Sequence, residues 1–343
     1  MSGRSIKGEE ESMNSTIIQS VTKFHQSEET IRKMTEKALG KVPHTFAVKE
    51  LAGGLCSAVY EVRADETKMV LKIASDPSVI TMRHEKDYVA TEAKMLETME
   101  RRIQIPAPRV LFFDESKTVC KVPYFFMSYI EGEALNTMGI RPLEEEIKEI
   151  KRKVAGICQK ISSIRAKAFG IPALPDTYTD SNYQFVYTLF DMLCMDAEDK
   201  DIEIPGITKR ELLNLISDRK EILDEVKVPC YVHTDTWDGN LMIKDGKLAG
   251  MVDFAAILYG DPLLNHDFHD FFGSPSKELL AEFGIDHLRA SEQIRIQIYR
   301  IWQCLGMIVE RGFREYEDKN QYAWVIDIFK DNIAKLKQMN TDN

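Results

Sequence analysis

The sequence predicts an α+β protein of two lobes, a small antiparallel-sheet lobe followed by a larger, mostly helical one. Three observations carry that reading. The chain has 343 residues, enough for two domains at roughly 150 residues each. From Phe46 to Ile130, apolar residues recur in short runs (FAVKELAGG, AVYEVRA, KMVLKIA, RVLFFDE, YFFMSYI) separated by turn residues, the pattern of successive strands. Past Glu131-Gly132 the period lengthens: Ile147, Ile150, Val154, Ile157, Ile161 and Ile164 step by three and four, one apolar face of a long helix.

Taken in order, residues 1 to about 14 are polar and charged and predict a loose tail. Ile17, Ile18, Val21, Phe24, Ile31, Met34 and Leu39 then recur at helical spacing. In the strand region a helical run, Arg83 to Met99, falls between the third and fourth strands. The order βββαββ places one helix on a sheet. The long helix beyond residue 131 is expected to end near Gly170, and further helices are expected at about 182–196, 209–225, 276–282, 287–312 and 321–338, with Thr208 as an N-cap. An isolated β signal interrupts them: Tyr231-Val232, Leu241 to Ile243, the Asp245-Gly246 turn pair and Leu248 to Val252. These patterns divide the chain into 1–44 (tail and helix), 45–130 (sheet lobe) and 131–343 (helical lobe).

Composition narrows the function classes. Hydrophobic residues make up 44% and charged residues 29%, close to ordinary soluble chains, so disorder and a membrane bundle are not expected. Lys plus Arg number 45 against 55 Asp plus Glu, a net −10, which repels phosphate backbones and argues against a nucleic-acid partner. The six cysteines are scattered with no CxxC and read as reduced core residues. With no apolar signal segment at the N-terminus and no spanning stretch, the cytoplasm is the expected compartment.

The chemistry concentrates in YVHTDTWDGNLMIKDGKLAGMVDF. It sets His233, Asp235, Asp238, Asn240 and Asp253 at the ends of the predicted hairpin, whose return brings Asp253 near Asn240. Two carboxylates and an amide at one mouth are hard oxygen ligands suited to Mg²⁺; alternatively they are turn-favouring residues in surface loops. In the sheet lobe, Gly53-Gly54-Leu55-Cys56-Ser57 lies between two strands, where glycines let backbone N–H groups approach phosphate. Lys72 stands in the apolar strand MVLKIA and needs an anion if buried, unless it is an edge residue facing solvent. Glu92, 20 positions on, lies on the following helix and could hold it.

In this order and spacing, loop, lysine, glutamate, HTDTWDGN and VDF resemble the aminoglycoside phosphotransferase-like small-molecule kinases, relatives of the protein kinases, over about residues 45 to 330. The resemblance implies a bilobal protein kinase-like fold with a nucleoside triphosphate, ATP or GTP, in the cleft. Asp235 is similar to the aspartate that accepts the acceptor's hydroxyl proton, Asn240 to the magnesium-binding asparagine, and Asp253 to the aspartate that bridges metal and phosphates. Lys72 and Glu92 look like the phosphate-anchoring pair. Ser128 and Ile130 lie in what looks like the interlobe hinge, whose backbone would meet the base.

Some positions depart from the pattern. GGLCSA lacks a third glycine, leaving Ser57 to offer a hydroxyl or N–H donor, and Ala255 follows Asp253-Phe254 with no regulated segment after it. His233 is expected to be structural beneath the catalytic loop, and Asp267 to hydrogen-bond that loop's backbone. Trp237 could line the acceptor pocket or wedge between helices; the wedge is the reading adopted. For the acceptor, a small hydroxylated molecule, two readings stand side by side. The acids of Asp191 to Glu203 form a wall for a cationic aminoglycoside or amino sugar, or they belong to a solvated loop and the acceptor is a neutral sugar-like, choline-like or fructosamine-like metabolite. A catalytically silent nucleotide-binding module is the non-enzymatic alternative.

Overall fold

A computed structural model describes residues 20–51, 56–269, 274–316, 320 and 323–339. Gly53 and Gly54 therefore lie outside the described residues, as do Ile17, Ile18 and the N-terminal tail.

The first lobe is built on five antiparallel strands: β1 (Phe46–Glu50), β2 (Ala58–Ala64), β3 (Thr67–Ile73), β4 (Val110–Asp114) and β5 (Tyr124–Ser128), in the order β1-β2-β3-β5-β4. Two helices flank them. Helix α1 (Glu28–Leu39) starts at Ser27, whose hydroxyl accepts from the Thr30 N–H, with Glu28 and Glu29 in its first turn. It packs Ile31 and Met34 against Val62 and Leu71 of the sheet. The sequence period began this helix at Ile17, whereas the structure begins it at Glu28. Upstream the backbone is bonded elsewhere: Val21 donates to the Arg314 carbonyl at 3.3 Å, and the Thr22 carbonyl accepts from Asp76 at 3.0 Å. Helix α2 (Tyr88–Arg102) is preceded by a single 3₁₀ turn, Arg83–Glu85. Its buried face, Val89, Ala93, Leu96 and Met99, packs against Phe125 and Met127.

The second lobe contains α3 (Glu144–Ser162), α4 (Asn182–Asp199), α5 (Lys209–Ser217), α6 (Lys220–Leu223), α7 (Lys277–Glu282), α8 (Ala290–Arg314) and α9 (Val325–Gln338). Thr208 caps α5, accepting from Glu211 while Glu211 returns to the Thr208 N–H. Helix α3 stops at Ser162 instead of near Gly170, because Ile164 and Ala166 leave it to bond Tyr231 and Pro229. The run 209–225 divides at Arg219, whose buried guanidinium donates to the carbonyls of Leu215 (3.0 Å) and Leu336 (2.6 Å).

The sequence's isolated β signal becomes two small sheets. One has the order β11-β10-β6, from β6 (Glu133–Ala134), β10 (Leu241–Lys244) and β11 (Lys247–Met251). The other has the order β8-β7-β12-β9, from β7 (Phe169–Ile171), β8 (Leu174–Thr179), β9 (Cys230–His233) and β12 (Ile257–Gly260). The β6 strand pairs only if the chain crosses between lobes at Gly132, with φ +141°. A Cβ there would lie 2.5 Å from the Ile243 carbonyl oxygen, so both the close approach and the dihedral require glycine. One core spans the junction: Val70, Val89, Met95 and Met127 of the sheet lobe pack in the same cluster as Ile150, Val154, Leu241, Met251 and Phe254.

Candidate active site

Lys72 lies on β3, the central strand, paired with Val59 of β2 on one side and Phe125 of β5 on the other. It is buried, which removes the edge-residue reading and makes anionic partners obligatory. Two are present: its Nζ lies 2.6 Å from Glu92 Oε2 and 2.9 Å from Asp253 Oδ1. Glu92, fully buried on α2, also accepts from the Phe254 N–H through Oε1 at 3.1 Å. Asp253 has φ 63° and ψ 71°, a left-handed conformation that an aspartate tolerates at some cost. That turn follows β11 directly and swings the carboxylate back toward Lys72.

The other half of the site hangs between β9 and β10. Asn240 donates from Nδ2 to both the carbonyl (2.8 Å) and Oδ2 (2.9 Å) of Asp235, while its own carbonyl accepts from Val252, next to Asp253. The loop is thus tied at both ends. His233 Nδ1 accepts from the Asp235 N–H at 3.2 Å, and the His233 N–H donates to Asn265 Oδ1 at 3.0 Å. Burial pushes the His233 imidazole down to about 4, so it is a neutral acceptor beneath the loop, as expected of a structural residue. Asp267 accepts from the Thr236 hydroxyl at 2.9 Å, and Asn265 anchors the backbone at the start of the loop through the His233 N–H. Asp238 pairs with Lys151 of α3 at 2.7 Å.

Electrostatics bind the two halves. Burial opposes the Lys72 charge, but Asp253 and Glu92 override it and hold the ammonium above its ordinary value. Burial likewise works against Asp253, and Lys72 overrides it, keeping the carboxylate ionised. Asp235 has no such cation. Burial first, and the Asp253 charge second, push its carboxyl up to about 7. Two carboxylates, Asp235 and the lysine-paired Asp253, beside the amide of Asn240 whose Nδ2 is spent on Asp235, form an oxygen donor set. That chemistry fits Mg²⁺, which takes one or two carboxylates and completes its shell from phosphate and water.

Not every sequence expectation survives. Trp237 is 42% exposed and lies over Gly239, where a Cβ would meet the ring at 2.2 Å; it does not wedge between helices, because Gly239 lets the ring fold onto its own loop. The acids of 191–203 are largely spent. Asp196 is buried and takes both the backbone N–H and the guanidinium of Arg83; Asp199 also binds Arg83, at 2.7 Å, and Asp191 and Glu198 share Lys209. Ser57 is buried just before β2. At the predicted hinge, the Ser128 N–H donates to the Arg109 carbonyl at 2.9 Å and the Ser128 hydroxyl accepts from the Arg109 N–H at 2.9 Å. Ile130 packs its Cδ1 over Gly250. Sequence reasoning missed Asn265, which a scan for catalytic residue types passes over, and the buried cluster of Cys56, Glu85, Glu310 and Arg314, whose members are up to 258 positions apart.

A two-lobed fold with lysine, glutamate and two aspartates meeting at the lobe junction defines a protein kinase-like phosphotransferase. The chain belongs to the APH phosphotransferase enzyme family, whose sequence profile it matches over residues 47–291, and it is in that sense a small-molecule kinase. No curated protein matches it. Among solved structures it is similar to a candidate fructosamine-3-kinase of Haemophilus somnus, at 14% identity over 90% of this chain and 97% of that one, TM-score 0.66. It is also similar to a thermostable mutant of the aminoglycoside phosphotransferase APH(4)-Ia, at 16% identity over 89% and 98%, TM-score 0.65. A streptomycin–ATP complex of APH(2")-IIa matches at 16% identity over 92% and 97%, TM-score 0.56. At these identities the likeness is one of fold. Among the described residues no helix is long and apolar enough to cross a membrane.

Proposed function

We propose that this chain transfers the γ-phosphate of ATP or GTP to a hydroxyl of a small molecule held against the helical lobe. The observation that carries the reading is Lys72 within hydrogen-bond distance of both Glu92 and Asp253, with the Asp235–Asn240 pair tied to the same turn. Phosphoryl transfer asks chiefly for positioning and charge neutralisation. In this reading Lys72, oriented by Glu92, holds the inner phosphates, with Ser57 donating from the loop before β2 and the backbone of Ser128 and Ile130 facing the base. Asn240 and Asp253 would hold Mg²⁺, which when bound offsets charge on the phosphate oxygens. Asp235 has one carboxylate oxygen fixed by Asn240 and its N–H fixed by His233. Its other oxygen orients the acceptor hydroxyl and takes the proton late. A silent binding module would have no use for an aspartate clamped in that way.

For the acceptor, one observation favours the second reading over an aminoglycoside or amino sugar. The acids that suggested a cationic substrate are paired with Arg83 and Lys209, so a neutral sugar-like molecule becomes the better-supported class. The test is a nucleotide-consumption screen of purified protein, with ATP and GTP, against aminoglycosides, amino sugars, neutral sugars, fructosamines and amino alcohols, repeated with Asp235→Asn. We expect turnover with a neutral polyol-type acceptor, and a drop of about 100-fold or more in kcat for the variant with Mg²⁺–nucleotide affinity unchanged. A variant retaining over a tenth of wild-type kcat would refute the role of Asp235.

A further inference from the structure

Arg314, the last residue of α8, has one of the largest fully buried side chains in the protein, 1% exposed. Its Nη2 donates to Glu85 Oε1 and to Cys56 Sγ, the latter at 2.8 Å, and its Nε lies 3.9 Å from Glu310. Neither Nη1 nor Nε has a hydrogen-bond partner. A buried guanidinium with three unmatched N–H bonds is costly, and such a group calls for an explanation.

Its surroundings indicate which ligand would satisfy it. Cys56 adjoins Ser57 on the β1–β2 connection and is tied there by Ser75, whose hydroxyl donates to the Cys56 carbonyl at 2.9 Å. The catalytic groups are near enough to act on this cluster: the Asp253 charge reaches Cys56, and the Glu310 charge reaches Asp235. Arg314 is thus a cation brought from α8 of the helical lobe to Cys56, beside Ser57 on the β1–β2 connection. A planar fork with free N–H bonds suits phosphate oxygens.

We propose that Arg314 is a phosphate-binding residue that receives the terminal phosphate of the nucleoside triphosphate on Nη1 and Nε, with Glu85 as its standing counter-ion. Glu85 then sets the strength of the contact. It competes for the guanidinium, so neutralising it should tighten the grip on the triphosphate. The inference rests on the phosphotransferase reading above, and the experiment separates the two.

Calorimetry in Mg²⁺ would compare ADP with β,γ-methylene-ATP on the full-length wild type, Arg314→Lys and Glu85→Gln. We expect wild type to prefer the triphosphate analogue, Arg314→Lys to lower that preference about tenfold or more with ADP affinity within twofold, and Glu85→Gln to raise it. Glu85→Gln carries the test by itself if Arg314→Lys fails to fold, since glutamine can still accept from the Met82 N–H that Glu85 Oε2 takes at 3.3 Å. Equal losses for both nucleotides in Arg314→Lys would mean that the guanidinium only braces the loop, and would overturn the proposal. So would an unchanged preference in both variants; if only the acceptor KM rises, the anion belongs to the acceptor. A wild type that binds neither nucleotide overturns the functional reading itself.

Discussion

Replacing Asp196 by Asn separates a structural acid from a substrate-binding one. Asp196 is 1% exposed. One of its oxygens takes the Arg83 guanidinium, and the other takes the Arg83 backbone N–H at 3.1 Å. In asparagine one of those oxygens becomes an NH₂ group, so a donor faces a donor and one bond of a charge-assisted pair is lost. Such a bond contributes roughly 1.5–3 kcal/mol. Arg83 keeps Asp199 at 2.7 Å and is 35% exposed, so water restores part of its hydration, and the low end, about 2 kcal/mol, is the expected loss. With a urea slope of roughly 3 kcal/mol/M, the unfolding midpoint should fall by about 0.7 M. The three tryptophans provide the fluorescence signal. Glu198→Gln, 60% exposed and on Lys209, should cost less than about 0.5 kcal/mol. KM for any acceptor should stay unchanged in both. An Asp196→Asn protein with the wild-type midpoint and a several-fold higher KM for a cationic acceptor would refute the argument and restore the acidic wall.

Three further outcomes are expected. Asp253→Ala should abolish the Mg²⁺-dependent part of nucleotide affinity and leave Lys72 on Glu92 alone, measured by titration with and without Mg²⁺; undiminished Mg²⁺ dependence would place the metal elsewhere. Gly132→Ala should cost about 1–3 kcal/mol in thermal unfolding, because its Cβ meets the Ile243 carbonyl at 2.5 Å with φ +141°. His269 is fully buried between Gln303 and the Leu264 carbonyl and is pushed down to about 4, chiefly by burial and then by His266. Its folded value lies below the unfolded one near 6.5, so its contribution is complete above pH 6.5 and is lost toward pH 4 at up to roughly 1.4 kcal/mol per unit. His269→Gln should flatten the acid side of the stability profile over that window.

The sequence by itself determined the two-lobe order and most helices of the second lobe, and it singled out Lys72, Glu92, Asp235, Asn240 and Asp253 as candidates, which the structure brings together. Strand and helix periods are local, and a lysine in an apolar strand or a clustered Asp…Asn…Asp loop is a chemical anomaly visible without neighbours, although only the structure shows that Lys72 is buried. Tertiary structure alone decided where α1 begins, since Ser27 outcompetes an apolar period whose backbone is bonded to Arg314 and Asp76. It also decided the strands β6, β7, β8 and β12, each short and stabilised only by pairing with segments far along the chain. The charges of 191–203 could be counted in the sequence, but whether they faced a substrate depended on Arg83, 113 positions from Asp196. Arg314 had no local signature at all. Its burial against Cys56 and Glu85 exists only because α8 ends beside the segment that leads into β2, and a long-range contact between charged groups leaves no periodicity in the residues that make it.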